Sequence, residues 1–346
     1  MPSDLLIIQP SYPSYRVAFF EGLAQRTGGL TLLHFGAPRY ATGEQNGVRE
    51  VIGSYRAWKS FRYIDRLDAH LSGHDTVVAA LDPHWWNAYT LALRRPDLRV
   101  VYWAHGLGSG PGRWLRRLAL RRAASFVTYH ETTRQTLVAQ GLPAEKLFTA
   151  NNTIAVANHT DLSDADKSYF LYVGRLQARK EVDAVVRALA ELRRRGTERP
   201  LYVVGPGDAE RDRLRRVARE ADPEALVRFH PGTTDDAELK TIFAGAWAYV
   251  SPGHVGLGVL HSFAYGVPVI AYRDRAHAPE HLNLQHQTNG LLVGEHELET
   301  ALSLPVETYR QLGQHAYAAY RDGATVDRMI EGFYRAVQYA RRTDSV

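Results

Sequence analysis

Residues 247 to 271, WAYVSPGHVGLGVLHSFAYGVPVIA, constrain the fold more than any other stretch of the 346-residue chain. Trp247, Tyr249 and Val250 have strand composition, and Ser251-Pro252-Gly253 breaks the strand. Leu260 to Tyr265 has room for two helical turns, which Gly266 ends as a C-cap. Residues 267 to 271 read as a buried strand with its proline near the start, where a missing N–H costs least. A strand, loop, helix and second strand packed this tightly put the loop at the carboxyl edge of a parallel sheet, the edge at which open α/β folds bind ligands. Gly256 and Gly258 fall at the strand-to-helix handover. They either leave backbone amides open to an anion such as a diphosphate, or simply permit close packing.

The rest of the chain repeats the rhythm. The apolar pattern predicts strands over 5–9, 30–35, 75–81, 99–104 and 125–129, with helices over 15–26, 84–94, 112–123 and 132–140 between them. The polar run NHTDLSDADK, 158 to 167, has no apolar period and reads as a hinge. After it come strands over 169–173, 201–205 and 226–230 and helices over 180–194, 209–221 and 235–244. Met329, Ile330, Phe333, Ala336, Val337 and Ala340 give the final helix, 327 to 342, one apolar side. Alternation of this kind, in a chain too long for one ordinary core, predicts two α/β domains with parallel sheets covered on both faces.

Composition narrows the function classes. No cysteine is present, so disulfides and thiolate chemistry are excluded and a cytoplasmic location is expected. No segment reaches the roughly 18 apolar residues of a membrane span, and MPSDLLIIQP reads as a first strand and not as a signal peptide. The formal charge of +5 is spread along the chain without a nucleic-acid motif or basic tail, so a nucleic-acid partner is not expected. The basic segment RWLRRLALRR, 113 to 122, is either a peripheral contact for anionic lipid or a solvated helix whose Leu115 and Leu118 face the core; the second reading is the shorter step.

Candidate site residues sit on the loops. Residues 9–14 and 105–110 follow the first and fourth strands, and His105 is suited to a sugar or phosphate oxygen. Residue 111 is proline where a dinucleotide fingerprint needs its third glycine, which argues against nicotinamide or flavin. Gly174-Arg175-Leu176 and Lys180 place two cations beyond the edge of the second sheet, on the side of the Gly256 turn, where they would neutralise a departing diphosphate. His277-Ala278-Pro279-Glu280-His281 formally matches an H-x-x-E-H zinc pattern, but Pro279 opposes the continuous helix that such a site needs. No metal is expected, and Pro279 reads instead as the first residue of a helix.

In order, YVGRLQARK (172 to 180), VVGPG (203 to 207), VRFHPG (227 to 232), GLGVLHSFAYGVPVI (256 to 270) and PEHLNLQHQTNGLLV (279 to 293) resemble retaining glycosyltransferases of family 4. More weakly, so does VTYHETTRQTLVAQGLPAEKLFTANNTI (127 to 154). The resemblance implies a GT-B fold of two Rossmann-like domains with a deep cleft between them. It places an acceptor-side domain at 1–160, a nucleotide-sugar domain at 161–325 and a helix at 326–346 that crosses back to the first domain. It implies Arg175, Lys180 and His105 as the catalytic set, and Gly256, Leu257 and Gly258 with Arg175 and Lys180 as the diphosphate site. By the same resemblance His261, Gly205, Pro231 and Gly232 face the nucleoside, Gly253, His254 and Glu280 the donor sugar, and Tyr12 and Arg16 the acceptor. The partners implied are a nucleoside-diphosphate-sugar and an unidentified hydroxyl acceptor, with no cofactor.

Two departures from the family pattern stand out. Its paired glutamates, eight positions apart, are here Gly253 and His261, and Lys180 is followed by Glu181 where glycine is common. A neutral imidazole accepts one ribose hydroxyl bond where a carboxylate takes two, which suggests a deoxyribose carrier. The missing glutamates keep two alternatives open, a non-catalytic sugar-nucleotide-binding protein and a GT-B epimerase or phosphorylase.

Overall fold

The computed structural model describes residues 5–108, 112–222, 224 and 226–342, and divides into two units. One comprises residues up to 155 together with those from 326 onward, and the other runs from 156 to 325.

In the first unit the strands lie in the order Leu147–Thr149, Ser125–Thr128, Arg99–Ala104, Thr76–Ala80, Leu5–Ile8, Leu30–His34, Val48–Ile52 and Glu44–Gln45. All pairs are parallel except the last. Central strands such as LLII are buried at every position, as a sheet covered on both faces requires. One face packs helices Val17–Thr27 and Val326–Arg342, the latter through Met329, Ile330, Phe333, Ala336, Val337 and Ala340. The chain thus returns to its first unit after completing its second.

The other face carries an element that the sequence reading passed over, an antiparallel hairpin of Tyr55–Trp58 and Phe61–Ile64. It carries further the short helices Trp86–Tyr89 and Leu91–Arg94, and helix Arg113–Arg122. The helix expected over 84–94 breaks at Thr90, whose hydroxyl donates to the Trp86 carbonyl. Leu118, expected to face the core, is 41% exposed; Ala119 and Leu120 are the buried residues of that helix.

The second unit holds six parallel strands in the order Val227–His230, Leu201–Val204, Tyr169–Val173, Ala246–Val250, Val269–Tyr272 and Gly290–Val293. From Tyr169–Val173 the chain winds one way through two strands, then begins again beside it with Ala246–Val250 and winds the other way. The carboxyl ends of these two neighbours form the switch point of the sheet, and their following loops flank it.

Two sequence boundaries shift. The division falls after 155, not 160, because the polar run is fastened to the second unit. Thr160 and Leu162 N–H groups donate to the Ala264 and Tyr265 carbonyls, and the His159 ring lies against Tyr317 and Tyr320. The helix expected over 180–194 is a single turn Ala178–Lys180 followed by Val182–Arg194, with left-handed Glu181 between them at φ 53°.

Candidate functional site

Three loops of the second unit are knitted together at the switch point. The loop after Ala246–Val250 is held on one side by Arg179 and Lys180, whose carbonyls accept from His254 N–H at 2.9 Å and Gly253 N–H at 3.1 Å. On the other side Val255 N–H donates to His277 Nδ1 at 3.1 Å, and its carbonyl accepts from Ala278 N–H at 2.9 Å. The loop is therefore fixed by its backbone before any ligand arrives.

The arrangement explains Gly253. A Cβ there would stand 2.1 Å from the Arg179 carbonyl oxygen, so the position that carries a glutamate in the resembled family has no room for a side chain here. It also explains Glu181. A left-handed residue costs about 1–2 kcal/mol unless it is glycine, and Glu181 offsets this with a two-point ion pair to Arg275 at 2.7 and 2.9 Å, which Glu295 also joins. That pair ties the Lys180 loop to the 273–281 segment. Sequence reasoning missed it because the partners are 94 positions apart.

Within this frame the Lys180 ammonium donates to the His254 carbonyl at 2.5 Å. Burial, then the neighbouring Arg179 charge, brings its pKa down to about 8. His254 is held below its ordinary pKa by burial first and by Lys180 next, and its buried Nδ1 has no hydrogen-bond partner among the described residues. The N–H groups of Gly256, Leu257 and Gly258 donate to no acceptor among the described residues. The helix that follows, Gly258–Phe263, is short, so these amides offer hydrogen bonds more than a dipole. Glu280 is buried beside Gly256, in the one-turn helix Pro279–Asn283 that begins at its proline.

The neighbouring strand ends form a pocket of about 520 Å³ lined by Gly174, Arg175, Gly205, Pro206, Gly232 and Thr233, among others. Its floor is bare backbone. Gly174, Gly205 and Gly232 follow three adjacent strands at φ 148°, 148° and 110°, and a Cβ on Gly205 would lie 1.9 Å from the Gly174 carbonyl oxygen. Such a surface accepts a flat group, and Arg175 stands at its rim, exposed and without a partner for its guanidinium among the described residues. Pro231, expected with Gly205 and Gly232, lines the same pocket. Pro206, Thr233 and Thr234 were not foreseen, since only the folded edge brings them there.

His261 lies one turn beyond Gly258, its ring 4.9 Å from Phe243 and 5.8 Å from Tyr265, and burial pushes its pKa down to about 4. It is neutral throughout the ordinary pH range. The two histidines of the zinc-like pattern are spent on backbone: His277 between Val255 N–H and the Tyr272 carbonyl, His281 against the Ala278 carbonyl.

The first-unit candidates divide. His105 follows strand Arg99–Ala104 and is exposed at the residue level, its ring edge-on to Tyr129 at 4.1 Å, and desolvation of the imidazole lowers its pKa. Tyr12 and Arg16, expected to face an acceptor, are both buried. The Tyr12 hydroxyl is buried against that of Tyr40 at 2.6 Å, and burial raises its pKa. Arg16 is 6% exposed, its guanidinium over Trp103, Tyr15 and Phe19 and in contact with the Met329 sulfur. Both side chains are spent on contacts within the first unit.

Residues 158–318 match the family model of glycosyl transferases group 1. A glycogen synthase of Halorhodospira halophila is 30% identical over 204 residues, 56% of this chain and 36% of that protein. A D-inositol 3-phosphate glycosyltransferase of Kineococcus radiotolerans is 33% identical over 207 residues, 50% of this chain and 46% of that protein. The chain thus spans between about a third and a half of the length of these curated relatives. The crystal structure of Anabaena HepE in complex with UDP and glucose is similar in fold, with a TM-score of 0.67 at 14% identity over 97% of this chain and 99% of that one.

Proposed function

We propose, on the match of residues 158–318 to the glycosyl transferases group 1 model, that this chain moves a hexose-type sugar from a nucleoside diphosphate to a hydroxyl acceptor with retention of configuration. One observation carries the reading: a prefixed loop presents the unpaired amides of Gly256, Leu257 and Gly258 beside Lys180, with Arg175 unpaired on the rim of the adjoining pocket.

In this reading the base lies on the bare backbone of Gly174, Gly205 and Gly232, and the diphosphate lies against Arg175, Lys180 and the loop amides. As the bond from the anomeric carbon to the phosphate oxygen breaks, charge accumulates on the leaving diphosphate, where these donors bind more strongly than in the ground state. The acceptor oxygen bonds the anomeric carbon on the face being vacated, and its proton passes to the departing phosphate oxygen. No side chain serves as nucleophile. Gly253 agrees with this, since no carboxylate fits there. His254, with its unpartnered Nδ1, and Glu280 are the groups assigned to the donor sugar.

Neutral His261 accepts at most one ribose hydroxyl, so the proposal extends to a 2′-deoxyribose carrier. Calorimetry with UDP and with thymidine diphosphate separates the two: tighter thymidine diphosphate supports the extension, and equal affinity removes it. The filled position at Gly253 also favours a second reading, a protein that binds sugar nucleotides without turnover. Single-turnover assays against a panel of hydroxyl acceptors decide. Release of nucleoside diphosphate supports transfer, and intact donor with every acceptor and with water supports the rival.

A further inference from the structure

On the first unit one layer carries exposed tryptophans among exposed cations, and we propose that it docks onto an anionic lipid surface. Helix Arg113–Arg122 buries Ala119 and Leu120 and turns Trp114, 68% exposed, and Leu118 one turn later toward solvent. Arg122 continues their row and Arg121 lies beside it. Arg113, Arg121 and Arg122 are exposed and pair with no described residue, and no acidic residue occurs between 105 and 130.

The helix cannot roll to hide this row. Arg116 donates to the Leu107 carbonyl at 2.8 Å and Arg117 to the Gln140 carbonyl at 2.7 Å, fastening it to loops at both sides.

The hairpin in the same layer repeats the chemistry. Trp58 is 60% exposed with the Lys59 ammonium 4.9 Å from its ring centre, and Ile52 is exposed where the hairpin departs. Its position is fixed by Arg62 N–H on the His84 carbonyl, by Phe61 against Trp86, and by two bonds between Ile64 backbone and the Asn87 amide. The hairpin and helix Arg113–Arg122 flank the two short helices over one sheet face.

Tryptophan and leucine favour the boundary of headgroup and acyl chain, and arginine binds phosphate there, so the two residue classes call for the same partner. A glycan platform fits less well, because Lys59 occupies the Trp58 face on which a sugar ring would stack. Among the described residues no helix is long and apolar enough to cross a membrane, so the contact is peripheral.

The test is co-sedimentation of the full chain with vesicles of equal parts phosphatidylglycerol and phosphatidylcholine, and with vesicles of phosphatidylcholine alone. Binding to the anionic vesicles that declines with added salt is expected, with none to the neutral ones. Each neutralised arginine is expected to weaken it by about fivefold, so R121E/R122E loses at least about twentyfold. W114S/L118S is expected to weaken binding while leaving UDP affinity unchanged, which shows that the fold survives. Absence of vesicle binding, equal binding to both vesicle types, or wild-type binding by both double variants overturns the proposal.

Discussion

The Lys180 ammonium rests on the carbonyl oxygen of His254. This bond joins the loop after the first strand of the second unit to the loop after the fourth, and it places a partly desolvated cation where a diphosphate is proposed to bind.

Because its pKa is lowered, to about 8 from 10.5, Lys180 gives a pH signature. Between those values the unfolded chain binds more protons than the folded one, so stability rises with pH across that window. Lys180→Met has no such group, and its advantage over the parent should shrink from pH 8 upward in denaturant titrations. Nucleoside diphosphate should restore the proton: near the folded pKa, UDP binding takes up a fraction of a proton in calorimetry across buffers of different ionisation enthalpy. Lys180→Arg should abolish that uptake.

Gly253 tolerates no side chain. Gly253→Ala forces the Arg179 carbonyl away and should cost about 1–3 kcal/mol of stability, with weaker UDP binding. Gly253→Glu, which restores the residue of the resembled family, should do worse and not gain turnover. Assays of Tm and kcat check both.

At Glu181 the conformation and the ion pair can be separated. Glu181→Ala loses the Arg275 pair and keeps the left-handed strain, whereas Glu181→Gly loses the pair and relieves it. The glycine variant should be more stable than the alanine variant by about 1 kcal/mol in equilibrium unfolding.

Arg16→Ala should loosen the first unit and not the chemistry. Removing a buried guanidinium from three aromatic rings should cost about 2 kcal/mol or more. Faster hydrogen exchange in helix Val326–Arg342, which carries Met329, checks this, with KM for donor unchanged.

Much of the second unit was legible in the sequence because its signals are local. A strand, a glycine-bearing turn and a second strand lie within 247–271, and Arg175 and Lys180 sit beside a strand of unbroken apolar composition. What stayed hidden depends on partners distant in the chain. Gly253 reads as a turn residue until the Arg179 carbonyl is seen against it, and Glu181 as an oddity until Arg275 reaches it. Tyr12 and Arg16 stand on a loop at the sheet edge, where a sequence reader expects ligand contact. Their burial comes from Tyr40 and from a helix more than 300 residues later, in the case of Arg16. The hairpin over 55–64 was passed over because its residues mix aromatic and basic types without a clean apolar face.

The most direct test is calorimetric titration of uridine, UMP and UDP into the parent, Arg175→Ala and Lys180→Ala. If these two cations and the Gly256 to Gly258 amides hold the diphosphate, UDP binds the parent far more tightly than UMP. Each variant then loses about tenfold or more for UDP while uridine is unaffected. Equal affinity for UMP and UDP, or unchanged UDP binding in both variants, would contradict the diphosphate site and the transferase reading built on it.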